Sequence, residues 1–157
     1  LSESNAAFEG AVDAAQLYQA SAKGAGININ VVQEPADGYW SIVWLTKPFC
    51  ACYCSGSATD DWMFSTAYEA GVPWNDSQWE HEKFNKLLLE ARAELDSDKR
   101  RTLYREMQQI TKDEGGVVVP AYANYVYASS KDVAHPEGLG NIWTMDGCRM
   151  MERWWMA

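Results

Sequence analysis

The chain has 157 residues, 47% of them hydrophobic and 22% charged, which is ordinary usage for a folded domain. That composition excludes a disordered tail, a collagen-like rod and a disulfide-packed miniprotein, and no apolar run approaches the roughly 18 residues a membrane helix needs. Thirteen basic against twenty-two acidic residues give a formal charge of −9, a field that repels phosphate backbones and anionic lipid, so nucleic acid and membranes are not expected as partners. The chain begins at Leu1, and Leu1-Ser2-Glu3-Ser4 has neither a basic n-region nor an apolar h-region. No targeting signal is expected there, and the chain reads as a piece of a longer protein.

In chain order, the first expected element is a helix over Ala6–Lys23, with Val12, Ala15, Tyr18 and Ala22 on one face and Gly24 and Gly26 stopping it. Ile27–Val31 alternates apolar and polar residues and predicts a strand, so the opening reads as an α/β unit. Asp37–Leu45 predicts an aromatic helix ended before Pro48, and Phe49–Cys54 a second strand. The small, polar run Ser55–Asp61 predicts a functional loop, followed by a short helix over Trp62–Glu69. Two stronger helices come next. Ser77-Gln78-Trp79-Glu80 reads as a capping box ahead of a face of Trp79, Phe84, Leu88, Ala91 and Leu95. Asp96 or Ser97 caps the second, on which Leu103, Met107 and Ile110 face the core. Gly115-Gly116 ends it, Val117–Pro120 and Tyr122–Ala128 read as strand, and the tail from Pro136 shows no period.

Few residues here carry a chemical pattern. Cys50, Cys52 and Cys54 alternate, which in a strand puts three thiols on one face; Cys148 stands alone. Zinc sites pair ligands at wider spacing, and no second pair is in view, so the thiols read as small buried or pocket-lining residues and no metal or other cofactor is expected. Asp60-Asp61 can anchor a cationic ligand at a loop mouth or cap the helix at Trp62, and the cap reading is the favoured one. Trp79 reads as core, whereas Trp40, Trp44 and Trp62 flank the loop and are equally suited to stacking on a ligand. His81 and His135 have no nucleophile or base beside them, and no hydrolase, zinc-protease or phosphate-loop motif occurs. Catalysis is not expected. The competing reading is a thiol- or metal-dependent enzyme built on Cys50, Cys52 and Cys54.

The order of several segments resembles a known family. The helix–Gly–Ile–strand opening (Gln16–Val31), Phe84-Asn85-Lys86-Leu87-Leu88 with Ala91-Arg92, and Asp96-Ser97-Asp98-Lys99-Arg100 followed by Leu103–Gln108 carry the likeness. Asp113-Glu114-Gly115 and Val118-Val119-Pro120 extend it. In these the chain resembles the C-terminal portion of the peptide/opine/nickel-type solute-binding proteins of ABC importers (extracellular solute-binding protein family 5). The resemblance implies an α/β fold, a mixed sheet flanked by helices, forming one lobe of a two-lobed clamp plus a C-terminal return segment. Residues 1–116 would be the second lobe and 117–157 the return toward the first. It further implies a periplasmic or extracellular protein, free or lipid-anchored, that delivers a peptide-, opine- or sugar-like solute to ABC permease subunits. Peptide binders of this family hold the peptide amino group with the Asp of a Gly-Trp-x-x-Asp pattern. Aligned on Phe64, this chain has Cys54 in place of the Trp and Ser57 in place of the Asp. The expected solute is therefore opine-like or sugar-like, stacked on Trp62 or Trp40, rather than a short peptide held by its amino group. Asp61, and Tyr122 with Asn124 on the returning strand, complete the expected ligand-binding set of Trp40, Cys54, Ser57, Asp61, Trp62, Tyr122 and Asn124.

Overall fold

A computed structural model describes the whole chain, residues 1–157. It is a mixed α/β protein organised around two small apolar cores. Strand β1 (Ser2–Glu3) lies parallel to β2 (Val32–Gln33), with Ser2 opposite Val32, and on its other side Ser2 bridges in parallel to Cys50. β1 is therefore central, and Ser2, Glu3 and Ser4 are all buried. Parallel neighbours require crossovers. These are α1 (Ala11–Gly24) between β1 and β2, and α2 (Tyr39–Ile42) between β2 and Cys50. Ala7, Ala11, Tyr39 and Val43 close the first core between them.

Several expectations for this part are corrected. The first helix starts at Ala11 rather than Ala6, because Ala7 N–H turns back to Ser4 O and Gly10 enters the helix left-handed at φ 81°. The expected strand at Ile27–Val31 is displaced to Val32–Gln33. Its partner fixes that register: the Leu1 ammonium donates to Asn30 O, Val32 N–H to Leu1 O and Glu34 N–H to Glu3 O. The aromatic helix shortens to α2 and dissolves into turns, with Leu45 at φ 62°. The expected strand Phe49–Cys54 reduces to the single bridge at Cys50, so no pleat aligns the three thiols.

The second core joins α3 (Asp60–Ala67), α4 (Glu82–Ala93) and α5 (Ser97–Glu114) through Phe64, Phe84, Leu87, Leu88, Ala91, Met107 and Ile110. Asp96 caps α5 as expected, accepting from Asp98 and Lys99 N–H. The capping box at Ser77–Glu80 does not form. Ser77 Oγ and Asn75 Oδ1 take up Trp79 N–H in a tight loop, and His81 Nδ1 caps α4 by accepting from Phe84 N–H at 3.0 Å. Trp79 thus precedes the helix, though its ring still packs 5.2 Å from Phe84. Leu95 falls beyond the end of α4 and is 90% exposed. Gly116 is needed where α5 meets this loop, since a Cβ there would lie 2.6 Å from Ser77 Cβ.

The strands expected over Val117–Ala128 do not form, and no backbone–backbone hydrogen bond involves residues 116–129. Beyond them β3 (Val133–Ala134) pairs antiparallel with β4 (Trp155–Met156). Two short turns of helix, α6 (Thr144–Cys148) and α7 (Met150–Arg153), lie between. Met145, Asp146, Gly147 and Cys148 all have positive φ, a left-handed path that costs L-residues about 1–2 kcal/mol each. The buried Asp146 side chain holds this path together by accepting from Gly140 N–H, Arg153 Nη1 and Trp154 Nε1. No helix is long and apolar enough to cross a membrane.

Candidate functional site

The polar centre of the site is Asp76, and its position follows from its neighbour. Asn75 is buried with its amide fully used: Nδ2 donates to Glu69 O and Trp79 O, and Oδ1 accepts from Ser77 Oγ and Trp79 N–H. This knot ties the loop between α3 and α4 and turns Asp76 toward the first core. There its Oδ2 accepts from Trp44 Nε1 at 3.1 Å and from the Cys52 thiol at 3.2 Å. Both donors are neutral, and no Lys, Arg or His forms an ion pair with Asp76.

Around Asp76 stands an aromatic wall. Trp40 meets Tyr39, Trp44 and Tyr53 edge-on with ring centroids 5.6–5.8 Å apart, and Trp44 meets Trp74 at 6.5 Å. Tyr39 anchors it from within the core, its hydroxyl donating to Ala51 O at 2.6 Å. Of the other rings, Trp40 is 40% exposed, Tyr53 59% and Trp74 62%, while Trp44 is half-buried. The thiols sit at the foot of this wall. Desolvation, then the Asp76 charge and hydrogen bond, push the Cys52 thiol far up. Desolvation and Asp76 likewise raise Cys50 and Cys54. Tyr68 is pushed up to about 12 by burial first and then by Cys54, Asp76 and Tyr122. Neutral thiols are poor nucleophiles and poor metal ligands. No three His, Cys, Asp or Glu side chains converge as a metal site.

The expected site residues fall in different places. Trp40 and Cys54 belong to the wall. Ser57 and Asp61 line a separate open groove of about 610 Å³ between the N-terminus of α3 and α5, with Thr59, Asp60, Arg100 and Tyr104. Thr59, not Asp60 or Asp61, caps α3, its hydroxyl accepting from Trp62 N–H at 3.2 Å. Asp61 Oδ1 instead receives Arg92 Nε at 2.7 Å and the Tyr104 hydroxyl at 3.2 Å, so its charge is already matched within the fold. Trp62 lies in the first turn of α3, 47% exposed. Tyr122 is 90% exposed and Asn124 is exposed, and with no strand here the alternation that would set them on one face is absent. Asp76, Trp74 and Tyr53 were not singled out by the sequence. The only available signal was the density of aromatic residues around the Cys run. Searches of protein-family models and of curated proteins find no match for this chain.

Proposed function

We propose that this chain is the ligand-binding part of an extracytoplasmic solute-binding protein that delivers its solute to an ABC importer. The observation that carries this reading is the aromatic wall in which the exposed Trp40, Trp74 and Tyr53 are joined through the half-buried Trp44. Aromatic rings in mutual contact, braced from a core and partly exposed, are of the kind that lines small-molecule sites. The surface as a whole supports the same reading. The chain exposes 11275 Å², whereas a compact monomer of this mass exposes about 7,900 Å². Much of its apolar surface is thus laid out to be covered, as one lobe of a two-lobed clamp is covered by the other. Closure of such a clamp couples ligand capture to docking on a permease.

The ion-paired state of Asp61 favours a solute that does not rely on it for an amino group. Calorimetric titration with opine-like solutes, sugars and short peptides tests the proposal. The expected result is that one class binds with micromolar or tighter affinity and that Trp40→Ala weakens it about tenfold, as loss of a stacking partner would. If none binds while elemental analysis finds stoichiometric zinc, the thiol- or metal-enzyme reading takes its place.

A further inference from the structure

We infer that the basic stretch of the groove between α3 and α5 binds a phosphate monoester of a hydroxylated compound. The groove lies apart from the aromatic wall, so this ligand is independent of the solute proposed above. Along α5 it forms an open cavity of about 420 Å³, lined by Arg100, Arg101, Tyr104, Arg105 and Gln108 from the helix and by Asp60 from α3. The helical positions recur at the three- and four-residue spacing that sets side chains along one face. Three of the six arginines in the chain thus line one cavity, on a protein whose formal charge is −9.

These guanidiniums are not used up by the fold. Arg100 Nη1 donates to the Glu94 carbonyl, and neither Arg100 nor Arg105 joins an ion pair. The nearby carboxylates serve other cations: Asp61 takes Arg92, Asp98 takes Arg101, and Glu106 takes Lys83. The placement also works against the helix. Arg100 falls in the first turn of α5, the positive end of its dipole, and Arg101 and Arg105 are like charges one turn apart. An oxyanion in the cavity offsets both penalties. The net charge of −9 repels anions at a distance, so recognition is short-ranged and belongs to the cavity itself.

The donors select the anion. A phosphate monoester carries about −1.5 to −2 of charge and three acceptor oxygens on one centre, enough for several guanidiniums at once. A carboxylate has two oxygens and matches a single guanidinium fork. Asp60 selects what the phosphate is attached to. Its Oδ2 accepts from Gln108 at 3.2 Å and no cation pairs with it, so it repels a second anion and can accept from hydroxyls. The adjoining space of about 610 Å³ shares Asp60, Arg100 and Tyr104 and continues to Ser57 and Thr59, a polar lining for a hydroxylated carbon skeleton.

The test is calorimetric titration of the whole chain with glycerol 3-phosphate, inorganic phosphate, succinate and glycerol. Glycerol 3-phosphate is expected to bind with submillimolar affinity, inorganic phosphate more weakly, succinate about tenfold more weakly or worse, and glycerol not at all. Arg105→Ala removes a side chain with no ion pair in the fold and is expected to weaken glycerol 3-phosphate about tenfold, with an unchanged circular dichroism spectrum. Arg149→Ala, in the C-terminal turn, is expected to leave that binding unchanged. The ligand series needs no variant, so it stands even if Arg105→Ala disturbs α5. Absence of glycerol 3-phosphate binding would overturn the inference, as would equal binding of succinate or of inorganic phosphate. An equal loss in Arg105→Ala and Arg149→Ala would overturn it too, since binding would then follow overall charge rather than this cavity.

Discussion

Glu3 brings a carboxylate into the first core, 1% exposed, with Oε2 lacking any hydrogen-bond partner. Desolvation, and after it the charge of Asp13, raises its pKa. A carboxyl with a raised folded pKa favours the fold when protonated. Its contribution is fully present below the unfolded value and is lost as the pH rises through the folded one. At neutral pH Glu3 is therefore a liability, and Glu3→Gln is expected to stabilise the protein by about 1 kcal/mol, measured by urea denaturation. The gain should shrink in acid, where the wild-type carboxyl is protonated too. Asp61, by contrast, is a carboxylate with partners, accepting from Arg92 Nε and the Tyr104 hydroxyl. Both acids look alike in the sequence. What separates them is long-range pairing, from α3 to α4 and α5 for Asp61 and its absence for Glu3, and local spacing does not encode it.

Among the elements, α4 and α5 were the most legible, because a 3.6-residue apolar period and a strong Asp cap act within one helix. Their packing gives a direct expectation. Leu88 is fully buried among Phe84, Ala91 and Met107, so Leu88→Ala should cost about 2–5 kcal/mol in thermal or denaturant unfolding. The start of α4 was misread for a physical reason: Asn75 draws Ser77 into a loop before it can cap, and His81 takes over. The short strands were illegible because each is two residues long and is defined by a distant partner. The aromatic wall was legible only as an excess of Trp, since Asp76 reaches it from 24 residues beyond Cys52. The tail was missed altogether, because its order comes from one side chain rather than a period. Hydrogen bonding from Gly140 N–H, above all, holds the Asp146 carboxyl below its ordinary 3.8, with Trp154 and Arg153 adding to it. A lowered folded pKa gives stability that is present above the unfolded value and lost as the pH falls through the folded one. Acidification below about pH 4 should therefore loosen the pairing of β3 with β4, reported by Trp154 fluorescence. Asp146→Ala should show the loosened signal already at neutral pH and no further acid step.

For the molecule as a whole, stability is spread unevenly, and one segment marks the low end. Only 17 of 157 residues are buried, and they fall in the two cores, at Ala15 on α1 and around β1, Asn75 and Asp146. Between the second core and the C-terminal turn, residues 116–129 have no backbone–backbone hydrogen bond, while Val118, Val119, Tyr122 and Val126 are 54–90% exposed. The same residues have high strand propensity, so the segment is a strand in composition without a neighbour in the fold. Its only side-chain ties here are the Tyr125 hydroxyl to Ile142 O and Met145 N–H to the Tyr127 hydroxyl. Amide protection requires a hydrogen bond that must open before exchange. Amides of residues 116–129 should then exchange within the dead time of a hydrogen–deuterium experiment, while those of α4 and α5 exchange only through global unfolding. Limited proteolysis should cut first in the same stretch, at Tyr122 or Tyr125 with chymotrypsin, and leave a product that retains α3, α4 and α5. If a surface of another polypeptide covers the segment in the proposed clamp, the same amides become slow when that surface is present. Slow exchange at 116–129 in the isolated chain would instead mean that the strand finds its partner within this chain or in a second copy, and dilution separates those two.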